Sequence, residues 1–386
     1  MIPATDLASR WLGGSVIAAS DESFGEKENL LTPTPAAFEP GHYGPRGEIV
    51  DGWETRRRRS PGHDWALIRL GAPGIITSVD VDTSFFTGNY PQEVSLDACG
   101  HEGYPSPDEL CHPSAGWELI VPRQELTGDR HNLFAVTDGR RFTHLRLSAY
   151  PDGGIARLRV FGQVVPDPRG LEALTIDLAS QAYGGAVVAC SDDFYTSAAH
   201  LIRPDQARTM GEGWETRRRR DGGHDHVVVR LAFPGVIRRV VIDTAHFKYN
   251  ASAEVALHAS AQDPYPPSDP LADPAAWRPL LARTRLQPDT RHEFPSQHDQ
   301  PAAAVRLDAF PDGGLSRVRL TGRLTREARR ASGYRWFNSL PAAQAVQCLV
   351  AAGLDPSAAA ALAARGPLTE GATAGHQALT ALLEGG

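Results

Sequence analysis

The chain has 386 residues, 41% apolar and 22% charged, enough for two or three domains each with its own core. Its formal net charge of −7 argues against a dedicated nucleic-acid binder, despite the arginine runs described below. No apolar run approaches bilayer-spanning length, the N-terminus lacks a basic stretch followed by an apolar one, and Cys99, Cys111, Cys190 and Cys348 form no Cys-x-x-Cys pair. Together these features fit a reducing cytoplasm, with no membrane partner and no zinc-site signal.

In chain order, residues 13–21 read Gly-Gly-Ser-Val-Ile-Ala-Ala-Ser-Asp, and 184–192 repeat them as Gly-Gly-Ala-Val-Val-Ala-Cys-Ser-Asp. About ten extra residues follow near 38–47 in the first copy only, which predicts a surface loop insertion. Residues 52–59, Gly-Trp-Glu-Thr-Arg-Arg-Arg-Arg, recur unchanged at 213–220. The match runs without gaps from 52–70 to 213–231, with thirteen of nineteen positions identical. The segments 66–70 and 227–231, 78–82 and 239–243, and 156–160 and 316–320 are β-rich, and the last pair alternates with period two. Pro-Asp-Gly-Gly at 151–154 and 311–314 predicts a turn whose positive-φ positions fall on glycine. Many short strands with frequent turns imply an all-β fold of two tandem sandwiches, and about 150 residues per copy suits an eight-stranded jelly roll. The expected boundaries are 1–165, 166–326 and a C-terminal appendage over 327–386. That appendage is alanine-rich. Pro341 and Gly353 bracket one helix, Asp355-Pro356 and Gly366 a second, and a third spans about 376–383; a partly disordered tail is the alternative.

Several motifs could carry chemistry. If the arginine blocks are strands, Glu54, Arg56 and Arg58 share one face and Thr55, Arg57 and Arg59 the other, so no large basic patch forms. A solvated edge and recognition of a small anion by Arg56, Arg57, Arg217 or Arg218 both remain open. His63-Asp64 and His224-Asp225 can act in proton transfer or serve as turn residues. Asp82-Thr83 and Asp243-Thr244 end apolar strands and lead into loops, where they either cap the loop or line a site. The copies diverge just beyond: Phe85, Thr87 and Gly88 in the first stand against His246, Lys248 and Tyr249 in the second. No Ser-His-Asp order, phosphate loop or zinc-protease motif is present.

The order 51–57 (Asp-Gly-Trp-Glu-Thr-Arg-Arg), 62–65 (Gly-His-Asp-Trp), 82–91 (Asp-Thr-Ser-Phe-Phe-Thr-Gly-Asn-Tyr-Pro) and 150–157 (Tyr-Pro-Asp-Gly-Gly-Ile-Ala-Arg), with its counterparts in the second copy, resembles the allantoicase family. Arg130-His131 and Arg291-His292 share the resemblance. It covers about residues 10–325, and it departs from the family pattern at Tyr249 and Ser252, where Gly and Pro are expected. The resemblance implies two galactose-binding-like jelly rolls, hydrolysis of allantoate to ureidoglycolate and urea in purine (allantoin) degradation, and a homo-oligomer. Some members are metal-dependent, which leaves a divalent metal ion open. The tail from Tyr334 to Ala345 resembles the opening helix of the ureidoimidazoline decarboxylases, which act earlier in the same pathway.

Allantoate carries a carboxylate, a hydrogen and two ureido groups on one carbon, so the site needs proton transfer and a cationic clamp. The candidates for proton transfer are Glu54, His63, Asp82, Glu215, His224, Asp243 and His246. Those for substrate binding are Arg56, Arg57, Thr83, Asn89, Arg217, Arg218, Thr244, Lys248 and Asn250. The competing reading is a non-catalytic ligand-binding or assembly protein, with Phe85, Tyr90 and Tyr195 as exposed loop aromatics. A sugar binder has no need of two Glu-Thr-Arg blocks or the His-Asp pairs, which favours the enzyme.

Overall fold

A computed structural model describes residues 4–45, 47–171, 174–264, 273–369 and 374–384. Its contacts group the chain into two units. One holds 4–166 with 336–369, and the other holds 167–335 with 370–386.

Each unit contains one copy of the repeat, organised around a 19-residue strand, Asp64–Asp82 in the first and Asp225–Asp243 in the second. The first half of Asp64–Asp82 pairs with Ser15–Ala19 and Arg141–Tyr150; beyond them lie Glu93–Cys99 and Glu118–Glu125. The second half pairs with His131–Ala135 and Arg157–Val164, the latter flanked by Thr5–Asp6. One strand thus belongs to both layers of a sandwich, and it turns the corner at 71–74. Gly74 sits where a Cβ would lie 2.2 Å from the Gln163 carbonyl oxygen, and Gly235 makes the same close approach to Arg323. Only glycine lets the backbones come that close.

Alternation then fills the core. Ala66, Ile68 and Leu70 face Leu145, Leu147 and Ala149 from one layer, while Val79, Val81, Leu158 and Val160 enter from the other. Each such side chain contributes roughly 1.5–3 kcal/mol when fully buried. The second repeat reproduces the scheme with Val227, Val229 and Leu231 in one half and Val240 and Ile242 in the other. This is the expected pair of jelly rolls.

The arginine blocks are not strands. Only Trp53–Glu54 pairs, with Gly154–Ile155, and Trp214–Glu215 pairs with Gly314–Leu315. Beyond them the backbone N–H groups are taken by carboxylates: Arg56 donates to Asp21 and Arg58 to Asp152. The predicted strand faces therefore do not exist. The insertion is exposed and carries a small ladder, Tyr43–Gly44 against Gly47–Glu48.

The tail is helical over Arg326–Asn338, Ala342–Ala351, Pro356–Ala364 and Ala374–Glu384. The Asp355 carboxylate accepts from the Ser357 and Ala358 N–H groups, as the cap signal implied. Residues 336–369 pack with the first repeat: Arg141 N–H donates to Ser339 O and the Gln344 amide to Glu102. No helix among the described residues is long and apolar enough to cross a membrane, and the four cysteines are free thiols.

Candidate active site

The corner strand brings most of the motifs to one end of each sandwich. Asp64 N–H donates to Pro151 O and Ala156 N–H to Asp82 O, so the strand's first and last residues flank the same Pro-Asp-Gly-Gly turn. The Glu-Thr-Arg segment and the loop after Asp82 complete this mouth.

Both mouths share a set of bonds that hold loops. Trp53 is fully buried and its indole N–H donates to Asp21 O at 2.8 Å; Trp214 does the same to Asp192 O at 2.9 Å. Arg58 meets Asp64 at 2.7 Å, and Arg219 meets Asp225 at 2.8 Å. Asp82 Oδ1 accepts from the N–H and hydroxyl of Ser84, and Asp243 Oδ1 accepts from Ala245 N–H. The Thr83 hydroxyl donates to Thr127 O (2.7 Å) and the Thr244 hydroxyl to Gln287 O (2.6 Å), and both residues are fully buried. The two threonines, expected to offer donors to a ligand, instead staple the loop. The two aspartates likewise cap the turn that follows.

The side chains presented at the opening are a different set. Asn89 donates to Glu54 Oε1 at 2.7 Å, and Asn250 to Glu215 Oε1 at 2.6 Å. Burial holds the Glu54 carboxyl above the usual carboxylate range. Arg56 and Arg217 are mostly exposed and tethered to Asp21 and Asp192, and Arg217 also lies 4.2 Å over the Phe194 ring. Arg57, Arg218 and Lys248 are exposed and form no ion pair with a described residue. Asn250 keeps its glutamate although Tyr249 and Ser252 replace the expected Gly and Pro. Ser252 Oγ donates to Asp312 O and accepts from Gly314 N–H, which fixes the loop in place of a ring.

The largest divergence is at Phe85 and His246. Both take positive φ, 68° and 70°, with N–H groups held by Asp129 and Asp289. Such backbone in a bulky residue is strained and persists only where its surroundings enforce it. Phe85 stacks on Phe38 from the insertion. His246 Nε2 lies 3.0 Å from Ala207 O. A carbonyl oxygen only accepts, so Nε2 is the donor, and in the neutral tautomer Nδ1 is the basic nitrogen.

His63 and His224 lie beside the turn, packed at a tilt against Tyr150 and Phe310 at centroid distances of 4.6 and 4.5 Å. Burial, followed by the Arg146 and Arg58 cations, holds His63 below the usual imidazole range. Strand register separates the two Arg-His pairs. His131 stands opposite Asp82, but it is Arg291 that stands opposite Asp243. His292 instead takes the inward position of Asn132 and receives Gln287 N–H at 2.9 Å, as Asn132 receives Thr127 N–H. Sequence reasoning missed Asp21 and Asp192, although their repetition in the opening block marked them. It also missed Asp308, which gathers His224, His258 and Arg306. Among the described residues no three His, Cys, Asp or Glu side chains are arranged to hold a metal ion.

Fold and mouth together define a two-repeat jelly-roll protein with a polar, arginine-rimmed opening in each copy. The allantoicase repeat model matches residues 5–165 and 176–325. Proteins described as probable allantoicases from Streptomyces coelicolor and Nocardia farcinica are 47% and 49% identical over 333 and 321 residues. Each alignment covers 83% of this chain, and 86% and 94% of the relative. The crystal structure of allantoicase from Saccharomyces cerevisiae superposes with a TM-score of 0.69 at 32% identity, covering 83% of this chain and 93% of that one. The chain belongs to the allantoicase family.

Proposed function

We propose that the mouth of the second repeat is where this chain does its chemistry. The chain is a hydrolase that converts allantoate and water to ureidoglycolate and urea. The observation that carries the assignment is His246, an exposed imidazole whose tautomer is fixed by Ala207 O and whose backbone is held at positive φ by Asp289. In the first repeat the same backbone presents Phe85.

The reaction replaces one ureido nitrogen on the central carbon by a hydroxyl. His246 Nδ1 takes a proton from water as its oxygen bonds to that carbon, then returns the proton to the departing nitrogen, which leaves as urea. Arg217, tethered by Asp192 and stacked on Phe194, clamps the substrate carboxylate. Arg218 and Lys248 add positive charge at the rim. Glu215 and Asn250 hold a ureido group: the amide spends one N–H on Oε1, which leaves Oε2 and the amide oxygen to accept ureido N–H groups. Glu54, Asn89, Arg56 and Arg57 form the equivalent cradle without a base, and bind rather than turn over. The enzyme works in the cytoplasm as a homo-oligomer, in keeping with its free thiols and the family resemblance.

A urea-release assay on allantoate tests the assignment. His246→Asn should lose most of kcat with KM little changed, and Arg217→Gln should raise KM. Wild-type kcat in His246→Asn would sink this mechanism. The binding-protein reading would require no urea from folded wild type.

A further inference from the structure

A second cavity lies on the outer face of the first repeat's five-stranded layer. It has a volume of about 390 Å³, within the range of small-molecule sites. Its floor is formed by Trp65, Asp97, Arg146 and Ser148 on three adjacent strands, its rim by His63 and Tyr150, and one wall by the short helix Pro107–Cys111. The Ser106–Glu109 capping box anchors that helix, and Trp117 ties it to the sheet by donating to Leu110 O at 2.7 Å.

What distinguishes the cavity is unspent hydrogen-bonding capacity. Arg146 stacks on Trp117 and gives Nε and Nη2 to a single oxygen of Asp97, at 3.2 and 3.1 Å. Nη1 of Arg146, the other Asp97 oxygen, the Ser148 hydroxyl, the Trp65 indole N–H and both His63 nitrogens make no hydrogen bond with a described residue.

The second repeat spends the same positions on itself. Ser148 becomes Asp308, Asp97 becomes His258 and Trp65 becomes His226, as strand register shows. Asp308 then meets His224 at 3.1 Å, His258 at 3.4 Å and Arg306 at 2.7 Å. One carboxylate closes the network that the first repeat leaves open.

The open groups specify a ligand. Arg146 Nη1 and His63 call for a carboxylate, Asp97 for an N–H donor, and the Trp65 ring for a flat group. A ureido group is flat and rich in N–H. We propose that this cavity is a further binding site, for a ureido-bearing carboxylate, built from residues other than those of either mouth. The inference rests on the catalytic reading only in placing turnover at His246. Substrate and product share this chemistry.

The test uses the full chain carrying His246→Asn, so that ligand is not consumed. Titration calorimetry is run with allantoate, and with N-carbamoylglycine as a stable acid bearing a single ureido group. Three molecules should bind per chain, one at each mouth and one in this cavity, falling to two when Ser148→Asp or Arg146→Gln is added. Ser148→Asp copies the second repeat's closure, and Arg146→Gln keeps the cavity's shape if the aspartate disturbs folding. A fall seen with allantoate assigns the site to substrate, and a fall confined to N-carbamoylglycine assigns it to product. Unchanged stoichiometry in the folded variants overturns the site. So does loss of urea release when Ser148→Asp is placed in the wild-type chain, because the cavity would then be the catalytic pocket. Wild-type kcat in His246→Asn would overturn the mechanism without touching the stoichiometry.

Discussion

The two repeats spend their identical residues and their divergent residues on different tasks. Trp53 and Trp214, Arg58 and Arg219, Thr83 and Thr244, and Asn89 and Asn250 make the same bonds to equivalent partners within a few tenths of an ångström. These bonds hold the loops. Other positions are free to change: Phe85 against His246 in the loops, and Ser148 against Asp308 and His131 against Arg291 on the strands. A duplicated domain can therefore keep its whole skeleton while only one copy carries the base. Motif identity between the copies reports on loop geometry, and difference reports on chemistry.

The largest effect expected from this contrast comes from exchanging the side chains at the strained position. His246→Phe should lower kcat by about 10²–10⁴-fold, the usual contribution of a positioned acid–base group. Phe85→His should leave kcat near wild type. Both backbones are already held at positive φ, so neither exchange changes the loop, and urea release reads the difference directly. Equal losses in the two variants would mean that both mouths turn over substrate.

Much of the fold was legible because its signals are local. Period-two alternation marked Arg157–Val164, and Asp355-Pro356 marked a helix start. The arginine block was misread because strand alternation requires a paired neighbour, and the pairing stops at Glu54. The carboxylates that take over the backbone, Asp21 and Asp152, lie 35 and 94 residues away from their donors. Helix Arg326–Asn338 falls in the appendage expected to be helical, although no start or stop signal set its bounds; Gly333 within it lets Leu383 approach where a Cβ would meet it at 2.3 Å. The candidate site was half legible. Glu54, Asn89 and Arg56 stood in repeated motifs, but the burial of Thr83 and the gathering of His224, His258 and Arg306 on Asp308 join strands far apart in sequence.

A smaller effect is expected from the buried arginines that close each mouth from below. Arg157 bonds Asp51 and the Thr34 carbonyl, while Arg317 bonds Asp205, its carbonyl and that of Glu212. Replacing either by Met removes one partner of a half-buried carboxylate and strands the carbonyls it served, and should cost about 1–3 kcal/mol in chemical denaturation. The contrast lies in activity. The segment 205–212 carries Ala207, which orients His246, so Arg317→Met should also lower kcat at temperatures where the protein is folded. Arg157 closes 34–51, which touches no base, and Arg157→Met should spare kcat. An equal kcat loss in both variants would detach His246 from that segment.

The smallest effect is a pH dependence confined to one copy. His131 bonds Asp80 at 2.8 Å, which raises its imidazole above the ordinary value, whereas the second copy has Arg291 in the same register. A group that binds its proton more tightly in the folded state stabilises the fold fully below its unfolded value, about 6.5. That contribution fades as pH rises through the folded value. His131→Asn should therefore lower Tm at mildly acidic pH, and the gap from wild type should narrow as the solution becomes alkaline. Burial also raises the Asp80 carboxyl, and its hydrogen bond to His131 opposes that rise. Arg291→Asn, measured in the same buffers, should show an offset that does not vary with pH over this window. A gap that widens towards alkaline pH for His131→Asn would show that the Asp80 contact does not favour the protonated ring, and that the two copies do not differ electrostatically here.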